Sequence, residues 1–399
     1  MADKIRLAFF AEILIEDFDG ASRTIHNILK RIPRDTFELL LICGIPPEKQ
    51  LPDALIQVPV MTIPFNKDYS IALPQLVSFR LQKALETFNP DVIHISTPSL
   101  LGTFALKYGE KRQIPVISIY HTHFISYIDY YLRKIKILIN PVKNAVIKGQ
   151  KRFYHARSKV YVPTIAMKTE LENMGFDDSN FRVWPRGINM ELFSPTKRNV
   201  SLLHAITQNT NKNILFCSRL VWEKNLTTLI DIYRLCMDAL LPYNFIIIGD
   251  GVASADLKKA MPNAFFLGHQ NHETLSTLYA SADAFIFTSV SESFGNVIIE
   301  AQASGLPAII ANGGGSASII EDGINGFLCT PSDASVYVDA LNYIFRDEQV
   351  RTSIIEAGLQ SVKKYNWENL MSTYLTDIRF LIEQRHNRGV EIADIEFAI

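Results

Sequence analysis

Two carboxylates with a glycine between them mark the most informative segment of the sequence. Seven residues separate Glu292 from Glu300, and Gly295 lies at the predicted start of a helix that carries Asn296, Val297 and Glu300. Glycine lets the backbone approach a ligand, and the first N–H groups of a helix have no intrahelical acceptor. The pattern predicts an anion site flanked by carboxylates that accept hydroxyl hydrogen bonds, which suits a nucleoside diphospho-sugar. The alternative is that Glu292 only caps the helix and Glu300 is solvated.

A second group of charged residues follows the predicted strand 213–217. Arg219 and Lys224 come where that strand ends, and ligands of open parallel sheets bind beyond such ends. Charge-assisted hydrogen bonds contribute about 1.5–3 kcal/mol each, against about 0.3–1 kcal/mol for a helix terminus, so these cations would dominate diphosphate binding. The alternative is a surface ion network of Arg219, Glu223 and Lys224.

Length and charge limit the class of protein. The chain has 399 residues, which at about 150 residues per domain predicts two domains, each with its own core. A formal net charge of −1 argues against a surface that binds nucleic acid throughout, so any basic site is local. No stretch approaches the ~20 apolar residues of a membrane-spanning helix, and we expect a buried first strand rather than a signal peptide at the start.

Cysteine and histidine spacing gives no sign of a metal site. The cysteines form no C-x-x-C pair, and the close histidine pairs have no Cys or carboxylate at ligand spacing. Free cysteines in strands behave as small buried hydrophobes, which fits a reducing compartment. The four are Cys43, Cys217, Cys236 and Cys329.

Short apolar runs alternate with helix-period segments along the whole chain. The predicted strands are 6–13, 39–43, 91–95, 116–120, 159–162 and 181–184, then 213–217, 244–248, 264–267, 284–287, 308–311 and 326–329. The predicted helices are 21–30, 74–88, 101–112, 226–239, 272–280, 296–304 and 334–345. Continuous Val, Ile and Phe strands with helices between them predict parallel sheets covered on both faces, and therefore two doubly wound α/β domains.

The predicted seam between the domains lies at 185–195, where a strand ends and little periodicity follows until 213. We predict an N-terminal acceptor-binding domain over 1–195 and a nucleotide-sugar-binding domain over 196–368. A final helix near 369–384, within a tail of 369–399, is expected to pack back across the seam. The expected ligand site is the cleft between the two sheets.

The second half of the chain resembles the retaining GT-B glycosyltransferases of family 4. Residues 291–301 are similar to their E-x7-E motif, and Arg219 with Lys224 resembles their R…K diphosphate pair. Further matches to the family are 248–251, 266–269, 278–283 and 303–307. In the first half, 18–24, 120–124 and 184–188 look most like the branch with lipid-directed mannosyl- and sulfoquinovosyl-transferases. The resemblance implies an α/β GT-B fold, with two Rossmann-like domains facing across a cleft and the C-terminal helix crossing back to the first.

This resemblance assigns roles in the second domain. Glu300 would hold the donor ribose, Glu292 the sugar hydroxyls, and the helix amides with the two cations the diphosphate. The backbone near Gly268 would lie alongside the base of the donor nucleotide. The implied donor-binding residues of this domain are Arg219, Lys224, Gly268, His269, Glu292, Phe294, Gly295, Asn296, Val297 and Glu300.

In the first domain the resemblance points to two residues. Gly20, in the first strand–helix loop, would let this domain approach the phosphates, which requires a residue without Cβ. His121 would contact the donor sugar near the reacting carbon, although the residue alone suggests a satisfied loop histidine. The implied catalytic residues are His121, Glu292, Arg219 and Lys224.

The family's mechanism implies a retaining hexosyltransferase that forms an α-glycosidic bond from a UDP- or GDP-sugar. The leaving phosphate takes the acceptor proton in a front-face attack, so no general base is expected, and the cations stabilise the developing charge. We expect no cofactor and no metal, because these cations are already present. The sequence departs from the family pattern at Ser218, which is often Gly, and at Ser318, which is often acidic.

The acceptor is expected on the first domain, where 132–152 has seven basic residues and no acidic one. Interleaved apolar residues predict an amphipathic surface for an anionic membrane. The alternative is a helix that packs its apolar side on the sheet, and Pro141 is expected to interrupt it. The residues assigned to this surface are Arg133, Lys134, Lys136 and Lys143.

The sequence leaves the acceptor open among a lipid, a glycan and a small molecule, and no nucleic acid partner is expected. We expect a cytoplasmic protein that is peripheral on the inner face of the membrane. Two rival interpretations share the fold: a nucleotide-sugar 2-epimerase, and a non-catalytic partner subunit that binds the nucleotide sugar. Epimerases lack this combination of carboxylates and cations, and loss of some of them would favour a non-catalytic subunit, so a transferase is favoured.

Overall fold

The computed structural model describes residues 4–16, 18–63, 66–121, 125, 128, 135–155 and 158–396. Two parallel β-sheets organise these residues, with helices connecting their strands. The central strands consist largely of Val, Ile, Leu and Phe and are buried on both sides, as sheets covered on two faces require. The predicted pair of doubly wound α/β domains is therefore confirmed.

The first sheet belongs to the N-terminal half. Strands of this half are β1 (Ile5–Ile13), β2 (Phe37–Ile45), β3 (Ala54–Gln57), β4 (Val60–Ile63), β5 (Asn66–Ala72), β6 (Val92–Ile95), β7 (Val116–Ile119), β8 (Lys159–Val162) and β9 (Phe181–Val183). The sheet order is β3–β2–β1–β6–β7–β8–β9, all parallel, and β4 and β5 form a separate antiparallel pair. The sequence did not predict β3, because it is an edge strand whose side chains are mostly exposed.

The second sheet belongs to the C-terminal half. Its strands are β10 (Lys212–Cys217), β11 (Tyr243–Ile248), β12 (Phe265–Gly268), β13 (Ala284–Phe287), β14 (Ala308–Ala311) and β15 (Phe327–Cys329). The order is β12–β11–β10–β13–β14–β15, all parallel. In both sheets the order of strands reverses beside the first strand, between β1 and β6 and between β10 and β13. Crevices for ligands form at such reversal points, outside the carboxyl ends of the strands.

The helices follow the predicted pattern with several additions. In the first half they are α1 (Gly20–Arg31), α2 (Ser78–Phe88), α3 (Leu100–Lys111), α4 (Ile139–His155) and α5 (Ile165–Asn173). In the second half they are α6 (Val200–Thr207), α7 (Leu226–Asp238), α8 (Ser254–Ala260), α9 (His272–Ser281), α10 (Asn296–Ala303), α11 (Ala334–Arg346), α12 (Glu348–Ser361) and α13 (Trp367–Glu396). Short 3₁₀ turns lie at Pro74–Val77, Lys136–Leu138, Pro195–Lys197, Trp222–Lys224, Gly315–Ile319 and Val362–Tyr365.

Helix α6 lies in the stretch after the seam where the sequence predicted no element. It buries only Leu203 and Thr207, so its apolar periodicity is weak. Its start is defined by local chemistry instead, because the Asn199 side chain accepts a hydrogen bond from the N–H of Leu202. Helix α5 likewise buries only two residues, and the Thr164 side chain caps its start. Short helices that bury two residues carry little signal in hydrophobic patterning.

The last helix, α13, packs against the first domain, as the sequence predicted. Its residues share one hydrophobic core with β1, α1 and Trp184. The indole N–H of Trp184 donates to the carbonyl of Leu370 at 2.9 Å, and the Tyr161 hydroxyl donates to Asp377 at 2.7 Å. The chain thus returns from the second domain to the first.

The four cysteines are free and buried, as expected for small apolar side chains. Three lie in strands β2, β10 and β15, and Cys236 lies in α7. Burial raises the pKa of each thiol to about 12, so all four are neutral at physiological pH. Among the described residues, no helix has both the length and the apolar character needed to cross a bilayer.

Gly187 provides a test of the α13 docking. A Cβ added at this position would overlap the Trp367 ring at the start of α13. We expect Gly187→Ala to lower the free energy of unfolding by about 2–3 kcal/mol, because overpacking forces the helix to shift. Urea denaturation measures this. The matched control is Gly149→Ala in α4, where nothing lies within 4 Å of the new Cβ and a gain of up to ~1 kcal/mol is expected. Equal stability of the two variants would contradict the packing.

Candidate functional site

The N-terminus of α10 is the centre of the candidate site. Gly295 precedes the helix with a φ of +101°, and a Cβ here would lie 2.9 Å from that of Ser316. Only glycine fits both the conformation and the space. The turn leaves the N–H groups of Asn296 and Val297 without intrahelical acceptors, at the positive end of the helix. Phe294 is buried beside them and anchors the turn in the core of the second domain.

Lys224 and Glu292 form an ion pair next to this helix. Lys224 is only 4% exposed, and its Nζ lies 2.5 Å from Oε1 of Glu292. Ser289 Oγ donates to the same carboxylate oxygen at 3.2 Å. Burial alone would raise the pKa of Glu292, but Lys224, Ser289 and the Arg219 charge outweigh it and lower the pKa. The Glu292 carboxylate is therefore charged at neutral pH.

Arg219 pairs with a different carboxylate. Its Nη2 lies 3.2 Å from Oε1 of Glu223, and the arginine side chain is 59% exposed whereas that of Glu223 is buried. The alternative of a surface network is wrong for Lys224, which turns inward to Glu292. Arg219 does form an ion pair at the end of β10, with its guanidinium exposed at the surface.

Glu300 is buried within α10 at 5% exposure. Its Oε1 lies 3.8 Å from Nη1 of Arg23, which belongs to the first domain. Burial raises the pKa of Glu300, and the Arg23 charge with the nearby Tyr279 hydroxyl only partly opposes the effect. The alternative of a solvated Glu300 is therefore wrong. The carboxylate lies inside the cleft, within reach of both domains.

The first domain approaches α10 through its own first helix. A Cβ at Gly20 would lie 3.1 Å from Nη1 of Arg186 and 3.3 Å from Nδ2 of Asn296. Because Asn296 belongs to the second domain, the N-termini of α1 and α10 face each other across the cleft. A Cβ at position 20 would require the Arg186 and Asn296 side chains to shift by a few tenths of an ångström.

His121 follows β7 and is 4% exposed. Its carbonyl accepts hydrogen bonds from Arg186 Nη2 at 2.8 Å and from Ser293 Oγ at 2.9 Å, and the second of these crosses the cleft. Both ring nitrogens are buried without a partner among the described residues. Burial, with Arg186 and His94 nearby, lowers the pKa of His121 well below its usual value, so the ring is neutral. A neutral imidazole with unpaired nitrogens can donate to and accept from a ligand.

Gly268 and His269 lie farther along the same edge of the sheet. Gly268 ends β12 with a φ of +66°, its carbonyl accepts from the N–H of Gly249 at 2.9 Å, and nothing lies within 4 Å of the position of a Cβ. His269 is exposed. Strand β12 lies two strands from β10, so these residues are at one end of the cleft rather than beside Lys224.

Two family models match the chain. "Glycosyl transferases group 1" matches residues 204–361, and "Glycosyltransferase Family 4" matches residues 18–192. Together they include both carboxylates, both cations and Gly20. The chain belongs to the group 1 glycosyltransferases of family 4. It is a glycosyltransferase, as its motifs predicted.

Relatives within the family include a mannosyltransferase and a sulfoquinovosyl transferase. The GDP-mannose-dependent alpha-mannosyltransferase of Corynebacterium glutamicum is 27% identical over 380 residues, which cover 93% of this chain and 88% of that protein. The sulfoquinovosyl transferase SQD2 of Arabidopsis thaliana is 32% identical over 307 residues, which cover 74% of this chain and 58% of that protein. The predicted resemblance to mannosyl- and sulfoquinovosyl-transferases is confirmed.

A solved structure shows the same architecture. The crystal structure of Anabaena Alr3699/HepE in complex with UDP and glucose matches with a TM-score of 0.72 at 21% identity, over 94% of this chain and 99% of that one. The fold of this glycosyltransferase is therefore GT-B, as expected.

The residues assigned to the acceptor surface are only partly described. Arg133 and Lys134 lie outside the described residues. Lys136 is in a 3₁₀ turn, and Lys143 is in α4 with its side chain partly exposed. The expected interruption at Pro141 is wrong, because this proline lies in the first turn of α4, where its missing N–H costs no helical hydrogen bond.

Three contact residues of the cleft were not assigned from the sequence. Arg186 and Ser293 both donate to the His121 carbonyl, and Arg23 reaches Glu300. All three lie in segments that resemble the family, but no spacing rule relates residues 65 or more positions apart. Their positions in the chain could have identified them, because each follows the carboxyl end of a strand. Ligands of such sheets bind at that edge.

The Lys224–Glu292 pair makes stability depend on pH. Lys224→Met leaves a poorly solvated carboxylate without its ion pair, so the free energy of unfolding at pH 7 should fall by about 3 kcal/mol. The pKa of Glu292 is lowered by folding, so the pair stabilises the protein above the unfolded pKa, and this stability is lost as pH falls through the folded value. The difference between wild type and variant in urea denaturation should therefore shrink below about pH 4.

The control for this experiment is the double variant Glu292→Gln/Lys224→Met. It removes both charges together, so part of the stability lost at pH 7 should return. A difference between wild type and Lys224→Met that stays constant from pH 7 to about pH 3 would contradict the ion pair as the cause.

Proposed function

We propose that this glycosyltransferase is a retaining hexosyltransferase that uses a nucleoside diphospho-sugar. The proposal rests on one observation. Lys224, the first amides of α10 and the buried Glu300 carboxylate all lie in one interdomain cleft. Such a set binds a diphosphate on one side and ribose hydroxyls on the other. The name of the C. glutamicum relative supports GDP-mannose as the first donor to test, with UDP-sugars beside it.

In the proposed mechanism the donor phosphate itself takes the proton of the acceptor hydroxyl. Lys224, Arg219 and the N-terminus of α10 stabilise the negative charge that develops as the bond to the sugar breaks. Lys224 is already oriented by Glu292, so little reorganisation is needed when the charge appears. Attack and departure on the same face of the sugar give an α-glycosidic bond with retention.

His121 is proposed to bind the donor sugar as a neutral hydrogen-bonding group. Its lowered pKa makes it a poor proton acceptor at physiological pH, which agrees with a mechanism without a general base. Its carbonyl is held by both domains, so domain closure positions the ring. Closure also excludes water, which limits hydrolysis of the donor.

The reaction is proposed to need neither a metal nor a cofactor. Lys224, Arg219 and the helix amides stabilise the negative charge of the diphosphate in place of a metal. Neither rival interpretation is favoured: the relatives are transferases, and the carboxylates and cations that a non-catalytic subunit could lose are all present and located in one cleft.

The proposal is tested with GDP-mannose, UDP-glucose and UDP-sulfoquinovose. One of them should raise the melting temperature of the protein and be hydrolysed slowly. NMR spectra should show that the α-anomer of the sugar is released first, and EDTA should not lower the rate of hydrolysis.

Lys224→Ala should lower the rate of hydrolysis about 10²–10³-fold, because a charge-stabilising group is removed. The control Lys107→Met replaces an exposed lysine of α3 and should leave the rate unchanged.

Three results would contradict parts of this proposal. Loss of activity on chelation, with recovery in magnesium, would contradict metal independence. A sugar epimerised at C2 as the product would favour an epimerase. An initial β-anomer from an α-linked donor would contradict retention.

The acceptor is proposed to be a lipid or a glycan at a membrane surface. Exposed apolar residues precede and begin α4, including Ile137 at 83% exposure, while Phe153 and Tyr154 at its end pack on the sheet. The alternative, with the whole apolar side on the sheet, therefore describes only the C-terminal part of α4. The N-terminal part combines exposed apolar side chains with Lys143, a pattern that suits an anionic membrane.

Neighbouring helices also expose apolar residues. Helices α2, α3 and α4 share one hydrophobic core beside the first sheet. Their starts expose Leu76 at 70%, Phe79 at 82% and Leu100 at 43%. Exposed apolar side chains on the first domain would hold it at a membrane that contains the acceptor. We propose that the protein acts on the inner face of the membrane from the cytoplasm.

Vesicle sedimentation tests this surface. The protein should bind vesicles that contain anionic lipid at low salt, and binding should fall with salt, since each basic group contributes about 1 kcal/mol near such a surface. Ile137→Glu with Phe79→Glu should weaken binding several-fold. The control is Leu240→Glu, which changes a residue that is 89% exposed in the second domain. No sedimentation with anionic vesicles at low salt would contradict the membrane surface.

A further inference from the structure

Arg23 crosses the cleft from the first domain to the ribose side of the site. It lies in α1, almost one turn after Gly20, and its side chain is 33% exposed. Its Nη1 lies 2.6 Å from Nε2 of His272 and 3.8 Å from Oε1 of Glu300, both in the second domain. The guanidinium is therefore held between two residues of the opposite domain.

The contact with His272 defines the state of that ring. A guanidinium only donates hydrogen bonds, so Nε2 of His272 accepts and its ring proton lies on Nδ1. His272 begins α9, and its ring packs edge-on against Phe193 at 6.2 Å, which fixes its orientation. The histidine thus acts as a fixed acceptor that directs Arg23 towards Glu300.

Arg23 is the charged group that faces Glu300. Around the carboxylate, α9 contributes the Tyr279 hydroxyl and β10 contributes the Cys217 thiol. Burial raises the pKa of both groups far enough that they are neutral, and Arg23 is the cation acting on Glu300 among the described residues. A buried carboxylate needs such a partner to remain a good acceptor.

We propose that Arg23 is a positioning residue of the ribose site. From the first domain it orients the Glu300 carboxylate that accepts the ribose hydroxyls of the donor, and so it makes ribose binding depend on closure of the two domains. This inference rests on the proposed function, in which Glu300 holds the ribose.

Ribose and Arg23 can act on Glu300 together. A carboxylate has about four acceptor positions, and the 3.8 Å contact uses at most one of them. Arg23 Nε is buried and has no partner among the described residues, so a donor remains for a ribose oxygen. The contact therefore prepares the site rather than blocking it.

The test measures binding of GDP and UDP by calorimetry between pH 5 and pH 8. Arg23→Gln should weaken binding of the preferred nucleotide about tenfold, the scale of one charge-assisted contact. Without Arg23 the pKa of Glu300 rises further, so the loss of binding on acidification should begin at a higher pH. Arg23→Lys retains the charge and should keep most of the wild-type pH profile. The control Lys30→Gln changes an exposed lysine at the other end of α1.

A double-mutant cycle separates this inference from the proposed function. If Arg23 acts through Glu300, then Arg23→Gln should have little further effect in a Glu300→Gln background. Equal losses in both backgrounds, or an unshifted pH profile, would overturn the role of Arg23. Wild-type binding by Glu300→Gln would instead overturn the ribose assignment itself. Thermal unfolding of Arg23→Gln close to that of wild type excludes a folding defect as the cause.

Discussion

The site depends on one buried ion pair, Lys224 with Glu292. A lysine at 4% exposure is costly unless it is paired, and its carboxylate partner lies three residues before Gly295, where the turn into α10 begins. The pair therefore links the end of β10 to the loop that presents the helix amides. It also keeps a cation where phosphate charge is expected, already ordered before a ligand arrives. Such a pair adds little to stability in net terms, and its value lies in placing charge.

The two domains are joined at the site by polar contacts and away from it by apolar packing. Across the cleft, Ser293 donates to the His121 carbonyl, and Arg23 lies between His272 and Glu300. On the outer side, α13 returns to the first domain and buries its residues in the core of that domain. The helix is a permanent connection, whereas the few hydrogen bonds across the cleft can open at small cost. This division suits a cleft that must admit a donor and then close.

The two halves of the molecule face different demands. In the second domain the groups proposed to bind the donor lie in loops that follow buried strands or, like Glu300, in the helix after such a loop. In the first domain, the starts of α2 and α4 expose large apolar side chains such as Phe79 and Ile137. Their exposure has a cost in water that a lipid surface would remove. In the proposed function, the second domain binds the donor and the first domain gives access to the acceptor.

The sequence alone determined the elements and the chemical types of the site residues. Continuous apolar runs predicted the parallel strands, and Gly295 with Glu292, Glu300, Arg219 and Lys224 predicted a diphosphate-sugar site. Strands and local motifs of this kind depend on residues that are close together in the sequence, so the sequence alone shows them. The elements that the sequence missed include β3 and α6, which bury too few residues to leave a pattern. Tertiary structure alone decided that Lys224 pairs with Glu292 rather than Glu223, that Arg186 holds His121, and that Arg23 reaches Glu300, because strand order and domain closure bring these distant residues together.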